Sequence, residues 1–206
     1  MAQVNDSVAV VTSTAAGSTL VATHKPTGLS TEYQAFIPAD VYGNLNGSIP
    51  TYVVVATGMA AGASKNYFAM VSTSGSGKVI EVMHIRISTQ TTAGITGLNR
   101  RVNAFRITNL SGGTTVTAEK LDNSNAGTPT QFNISVNGPT VTATGNPYAV
   151  GTVVEEETGG NGFMDLYKWN YGEQPWTIST GQGFAVGQDG TAMLGLISVM
   201  VRFRVR

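Results

Sequence analysis

Histidine, the side chain best suited to proton transfer and metal binding near neutral pH, is scarce in this chain. There are only two, His24 and His84, and neither has an aspartate or glutamate at a metal-ligand spacing. His84 stands between Met83 and Ile85, a setting typical of a packed or interface histidine. The sequence therefore predicts no histidine-based metal centre or catalytic site.

Acidic side chains form one cluster, Glu155, Glu156 and Glu157, with Asp165 nearby. Hydrolysis of a glycosidic bond needs two carboxyl groups about 5 to 9 Å apart, whereas adjacent carboxylates beside glycines are typical of a solvated patch. Calcium would favour a spaced Asp/Asn ladder, which this segment lacks. The chain has no cysteine, which excludes thiolate catalysis and cysteine-ligated metals. We therefore predict a protein that is not an enzyme and has no cofactor.

Residues 74–78, Ser-Gly-Ser-Gly-Lys, resemble the end of a phosphate-binding loop. The complete motif needs glycine where Ser72 stands and serine or threonine where Val79 stands. No helical pattern follows to direct backbone N–H groups at a phosphate. The segment is predicted to be a hairpin turn.

Aromatic side chains crowd the stretch that contains Tyr167, Trp169, Tyr171 and Trp176. Rings in loops can stack on sugars, and they serve equally well as anchors in protein–protein contacts. Core packing is the third interpretation, and it is favoured for Trp176, which opens a strand after Pro175. Tyr167, Trp169 and Tyr171 remain candidate contacts for a protein partner or a host-surface glycan.

The C-terminal run has the clearest strand pattern in the chain. Apolar residues occupy every second position from Ile197 to Val205, and Arg202, Arg204 and Arg206 stand among the alternating residues. Side chains on a strand alternate between faces, so the run predicts an internal strand with one apolar and one basic face. The three arginines are candidate partner contacts, for example with the Glu155–Glu157 patch of another copy.

Composition limits the class of partner. Charged residues make up 12% of the 206 residues, about half the usual share, and the net charge is zero. Direct binding of nucleic acid is therefore not expected. Low charge with 41% hydrophobic residues favours a surface covered by other subunits, although a wet Thr/Ser/Asn-rich surface remains the alternative. No apolar stretch reaches the length of a membrane span, and no secretory signal is expected at the N-terminus.

Short strand patterns separated by Gly, Asn and Asp turns continue from residue 51 onward. They predict an all-β fold, an antiparallel, jelly-roll-like β-sandwich over residues 51–206, preceded by an extended N-terminal arm over residues 1–50. The alternative for residues 1–50 is that they form the first strands of the same domain. Strict alternation in residues 78–88 places Ile80, Val82, His84 and Arg86 on one face. Met83, Ile85 and Ile87 would lie on the other, so both faces of this strand are expected to be covered.

Several segments together resemble a group of tailed-bacteriophage virion proteins with a β-sandwich fold. The resemblance covers residues 51–206. The segments that carry it are the stretch that begins at Asn66-Tyr67-Phe68 and ends at Ile87, with its Gly-Ser-Gly-Lys turn, and Leu121–Asn125, Gln174–Trp176, Gly181–Val186 and Val199–Val205. Its motifs are strand and turn patterns rather than catalytic signatures.

The resemblance implies a capsid decoration (cement) protein, or alternatively a head or tail fibre module that binds host carbohydrate. A decoration protein would bind the major capsid protein and other copies of itself, commonly as a homotrimer. It would be made in the host cytoplasm and lie on the exterior of the capsid.

Overall fold

A computed structural model of the protein describes residues 20–24, 33–37, 50–73, 77–90, 98–121, 131–155, 161–170, 172–190 and 195–205. The chain divides into two units near residue 50. In the first unit, β1 (Leu20–His24) pairs antiparallel with β2 (Tyr33–Ile37). The predicted role of this segment as an extended arm stays a prediction. Among the described residues there is no helix that could cross a membrane.

The second unit spans Pro50–Val205, and its described residues form twelve strands. These are β3 (Thr51–Ala60), β4 (Asn66–Ser72), β5 (Ile80–Gln90), β6 (Leu98–Ser111), β7 (Thr114–Thr115), β8 (Glu119–Lys120), β9 (Phe132–Val136), β10 (Thr140–Glu155), β11 (Asn161–Lys168), β12 (Trp176–Ile178), β13 (Gly183–Gln188) and β14 (Leu196–Val205).

All pairings are antiparallel, and they form two sheets that pack against each other. The first sheet has the order β11-β5-β14-β3-β8, with β12 also paired to β5, and we call it the β14 sheet. The second has the order β10-β6-β13-β4-β9-β7. The predicted all-β sandwich is therefore confirmed.

The long strands follow a jelly-roll order. Along the chain, β3, β5, β11 and β14 enter one sheet, and β4, β6, β10 and β13 enter the other. This interleaving of two Greek keys is the jelly-roll arrangement. It places the last strand, β14, between β5 and β3, which confirms the prediction that the final strand is internal to a sheet.

The core lies between the sheets and is rich in aromatic rings. Phe203 is fully buried, with the Tyr52 ring stacked 5.6 Å away and the Phe132 ring edge-on at 5.1 Å. At the other end, Trp176 packs against Phe184 at 5.1 Å. Trp176 is only 3% exposed, so its predicted core role is confirmed.

The predicted faces of β5 were wrong because a β-bulge interrupts the alternation. Arg202 pairs with His84 but Phe203 pairs with Val82, which leaves Met83 as an extra residue. Ile80 and Val82 therefore enter the core together with Ile85 and Ile87. The face of β5 that carries His84 and Arg86 is consequently polar rather than covered by apolar packing.

A second irregularity joins two predicted strands into one. The strand patterns of residues 141–144 and 148–155 are separated by Gly-Asn-Pro and predict two strands, but both segments pair with β6 as parts of β10. The register shift falls between Thr144 and Ala149, and Gly145 has a φ of 75° there. The excursion places the Tyr148 ring on Trp176, with centroids 4.6 Å apart and planes within 3° of parallel. Tyr148 remains 55% exposed, so it covers the core tryptophan from the outside.

Candidate functional site

The outer face of the β14 sheet gathers most of the side chains that could contact a partner. Inward residues of β14 are buried in the core, so the alternate residues Ser198, Met200, Arg202 and Arg204 point outward. The strand register sets Met200 between Val55 on β3 and Arg86 on β5. This arrangement joins apolar and cationic groups on one flat, strand-built surface.

We call the central part of this face the outer patch, formed by Val53, Val55, Arg86, Met200 and Arg202. Val55 is 59% exposed on β3, and it is one of the few large apolar side chains with such exposure among the described residues. Arg202 is also exposed, whereas Val53 and Met200 are half-buried. Core packing of β3, β14 and β5 from behind holds the patch rigidly.

The three C-terminal arginines do not behave alike. The Arg204 guanidinium donates a hydrogen bond to the Glu81 carboxylate, and both side chains are largely buried. Its Cζ also lies 5.3 Å from the centre of the Trp169 ring. Arg202 is exposed and has no ion pair within the part of the chain that the structure describes, while Arg206 lies outside that part. The predicted partner contacts of all three remain predictions, but Arg204 already has a carboxylate partner in its own chain.

A cluster of His84, Arg86 and Asp165 borders the outer patch. The Arg86 Nε–H donates to Asp165 Oδ1 at 2.8 Å, and His84 Nε2 lies 2.7 Å from the same oxygen. Hydrogen bonds from Arg86 and then from His84 lower the pKa of Asp165 from 3.8 to about 2. Since residues 84 and 165 are far apart in the chain, spacing alone did not predict this contact.

This cluster gives a pH-dependent contribution to stability. Because the folded state holds the pKa of Asp165 below its unfolded value, the contribution is complete above about pH 4 and disappears as pH falls toward about 2. We expect Asp165→Asn to lower the free energy of unfolding at pH 7, and the deficit relative to wild type to shrink below pH 4. Urea titrations at several pH values measure this difference.

The control for this experiment is Asp189→Asn. Asp189 lies 3.5 Å from Arg101 in an exposed ion pair, so its loss removes one acidic charge without disturbing the His84–Arg86–Asp165 cluster. A constant difference between wild type and Asp165→Asn from pH 7 to pH 2 would contradict the assignment.

The aromatic residues predicted as contacts are engaged within the chain. The Tyr167 hydroxyl accepts the backbone N–H of Trp176 at 2.9 Å, and its ring packs edge-on against Trp176 at 6.0 Å. Trp169 Nε1–H donates to the carbonyl of Glu173 at 2.6 Å. Tyr171 lies outside the described residues. A role of these rings in binding a partner or a glycan stays a prediction.

Phe163 is the most exposed aromatic residue in the described part of the chain, and it was not among the predicted contacts. It is 74% exposed on β11, directly opposite Ser88 of β5. The sequence did indicate this exposure, because Phe163 stands two residues before Asp165 and therefore lies on the same solvent-facing side of the strand. Arg86 lies beside the ring, with Cζ 5.7 Å from its centre.

An open cleft of about 380 Å³ lies next to Phe163 on the same outer face. It crosses β3, β14 and β5 near one end of these strands. Its lining is formed by Thr57, Gly58, Ser88, Thr89, Gln90, Leu196 and Ser198. The cleft therefore carries hydroxyl and amide groups and no ionisable side chain.

No group of three or more metal-ligating side chains occurs among residues that the structure describes. Glu156 and Glu157 lie outside those residues, and for Glu155 only the strand position is described. The hypotheses of a paired-carboxylate site or a calcium site at Glu155–Glu157 therefore fall outside the described part of the chain.

No protein-family model matches the chain, and no curated protein or solved structure matches it significantly.

Proposed function

We propose that this protein is a non-enzymatic structural subunit of a phage virion, a capsid decoration protein that docks on the major capsid protein. The observation that carries the proposal is the outer patch, an exposed apolar and cationic surface on a rigid sheet. The strand and turn patterns that resemble phage virion proteins, and the low share of charged residues, support the same function.

The composition of the outer patch suits a protein interface. Methionine, arginine and aromatic residues are enriched at interface centres, and lysine and carboxylates are depleted there. Met200 and Val55 supply apolar area, while Arg86 and Arg202 supply long side chains that can pack and donate hydrogen bonds. Because the strands behind the patch are fixed by the core, docking would require little ordering of the backbone.

The charge of the outer patch favours an acidic partner surface. Arg86 shares Asp165 with His84, whereas Arg202 is exposed and has no ion pair among the residues described. Lys168, beside the patch on β11 opposite His84, is likewise exposed and has no ion pair there. A second copy that docked through the same patch would bring these cations together, which is unfavourable. We therefore assign the patch to a carboxylate-rich region of the capsid shell rather than to the same patch of a second copy.

Docking can be tested with Val55→Asp. The change puts a carboxylate in the middle of the patch, where it meets the acidic partner and loses apolar contact. We expect binding to capsids that lack the protein to weaken at least about tenfold, equivalent to about 1.4 kcal/mol. Co-sedimentation with shells measures the affinity, and the wild-type protein should be present in hundreds of copies per particle.

The matched control is Val150→Asp. Val150 lies on β10 in the other sheet and is 50% exposed, so it tests the same substitution at similar exposure away from the patch. Both variants should keep the thermal stability of the wild type. Equal binding by Val55→Asp and Val150→Asp, or a handful of copies at one vertex or on the tail, would overturn the proposal.

A further inference from the structure

The cleft beside Phe163 has a lining suited to a neutral, polyhydroxylated ligand. All its polar groups are hydroxyls, amides or backbone atoms, so it offers no charge to select an anion or a cation. Its volume of about 380 Å³ lies within the usual range of small-molecule sites, roughly 300–1,000 Å³.

The cleft offers both hydrogen-bond donors and hydrogen-bond acceptors. Ser198 Oγ accepts the backbone N–H of Gly58 at 3.1 Å, which leaves its own proton free to donate. Ser88 and Gln90 are exposed and have no side-chain partner among the described residues. A hydroxyl can donate one hydrogen bond and accept two, and the Gln90 amide can both donate and accept. These groups match vicinal sugar hydroxyls.

Phe163 supplies the second element of the site. Strand pairing sets it opposite Ser88, one strand spacing from the cleft wall. Even with Arg86 alongside, 74% of the residue remains accessible. The C–H groups of a pyranose ring can pack on the electron-rich face of an aromatic ring, while the sugar hydroxyls reach the polar lining.

We propose that Phe163 and the cleft formed by Ser88, Gln90, Ser198 and Thr57 bind a neutral hexopyranose. The site is distinct from Tyr167, Trp169 and Tyr171, where the sequence suggested a glycan contact. The cleft lies toward the opposite end of β14 from Arg202 and Arg204. The proposed site meets the outer patch at Arg86, which lies beside the Phe163 ring.

The test uses the full-length protein and the methyl glycosides of glucose, galactose and mannose, together with N-acetylglucosamine. Titration followed by ¹H–¹⁵N correlation spectra should shift the amides of Ser88, Gln90 and Ser198 for at least one sugar, with a dissociation constant on the order of 1 mM. Phe163→Ala should weaken that binding at least about tenfold. Phe163→Tyr, which keeps an aromatic ring, should bind as the wild type does.

Val55→Asp serves as the control that separates this site from the docking patch. It should bind the sugar as the wild type does, while Phe163→Ala should still bind capsids. The proposal is overturned if none of the four sugars shifts the cleft amides, or if Phe163→Ala leaves the titration unchanged.

Discussion

Phe203→Ala is expected to lower the free energy of unfolding by about 4 kcal/mol. The ring is fully buried near the C-terminal end of β14, between Tyr52 and Phe132, and its removal leaves a cavity that the two sheets cannot close. The stacked and edge-on ring contacts are lost together with the buried area. Guanidinium denaturation, with an unchanged slope against denaturant, measures the loss.

The matched control is the same substitution at an exposed site, Phe163→Ala. Because Phe163 is 74% exposed, its truncation should change the free energy of unfolding by no more than about 0.5 kcal/mol. Similar losses in the two variants would mean that Phe203 does not lie in the core between the sheets.

Arg204→Leu is expected to cost about 3 kcal/mol, because it leaves the Glu81 carboxylate buried without its guanidinium partner. Leucine keeps much of the apolar contact with Trp169, so the expected loss is mainly electrostatic. Denaturant unfolding of Arg204→Leu and of Arg202→Leu, measured in parallel, compares what each arginine contributes to the free energy of unfolding. Arg202 is exposed, and its replacement should lie within about 0.5 kcal/mol of wild type.

The double variant Glu81→Leu/Arg204→Leu decides the cause of that loss. Replacing both charged groups with apolar side chains also removes the buried carboxylate, so most of the lost stability should return. A double variant as unstable as Arg204→Leu alone would show that packing of the arginine, and not its charge, accounts for the effect.

Much of the fold follows from alternation in the sequence, and β14 is the clearest case. Its five apolar residues all point into the core, and its position between β5 and β3 agrees with the prediction from its strict pattern. The strands of the sandwich could be located because apolar periodicity and glycine turns are local signals. Their pairing could not, since partners such as Tyr52 and Phe203 stand at opposite ends of the domain sequence.

The errors in β5 and β10 share one physical cause. A bulge inserts a residue without a partner, and the alternation then changes phase in mid-strand. In β5 the sequence Val82-Met83-His84-Ile85 is compatible with Ile85 on either face of the sheet. Only pairing with β14 selects the arrangement that buries Ile85. In β10 the Gly-Asn-Pro segment interrupts the strand pattern, but β6 continues to pair on both sides of it.

The candidate site was less predictable because it is assembled by pairing rather than by motif. Ser88, Ser198 and Phe163 come from three strands, and nothing in their local sequence relates them. The contact of His84 with Asp165 likewise arises only when β11 pairs with β5. By contrast, the buried role of Trp176 was predicted, since Pro175 before an alternating segment is a local signal.

The place of β14 in the sheet also sets the order in which the domain can be completed during synthesis. A ribosome delivers β3 and β5 long before β14, yet these two strands are not neighbours and can be joined only by the strand still to come. Until then their facing edges are open, and Tyr52, Val54, Ile85 and Ile87 lack the surface that later buries them. The nascent chain is therefore most exposed to aggregation just before its final strand emerges, and closure of the sandwich is a late, all-or-none event.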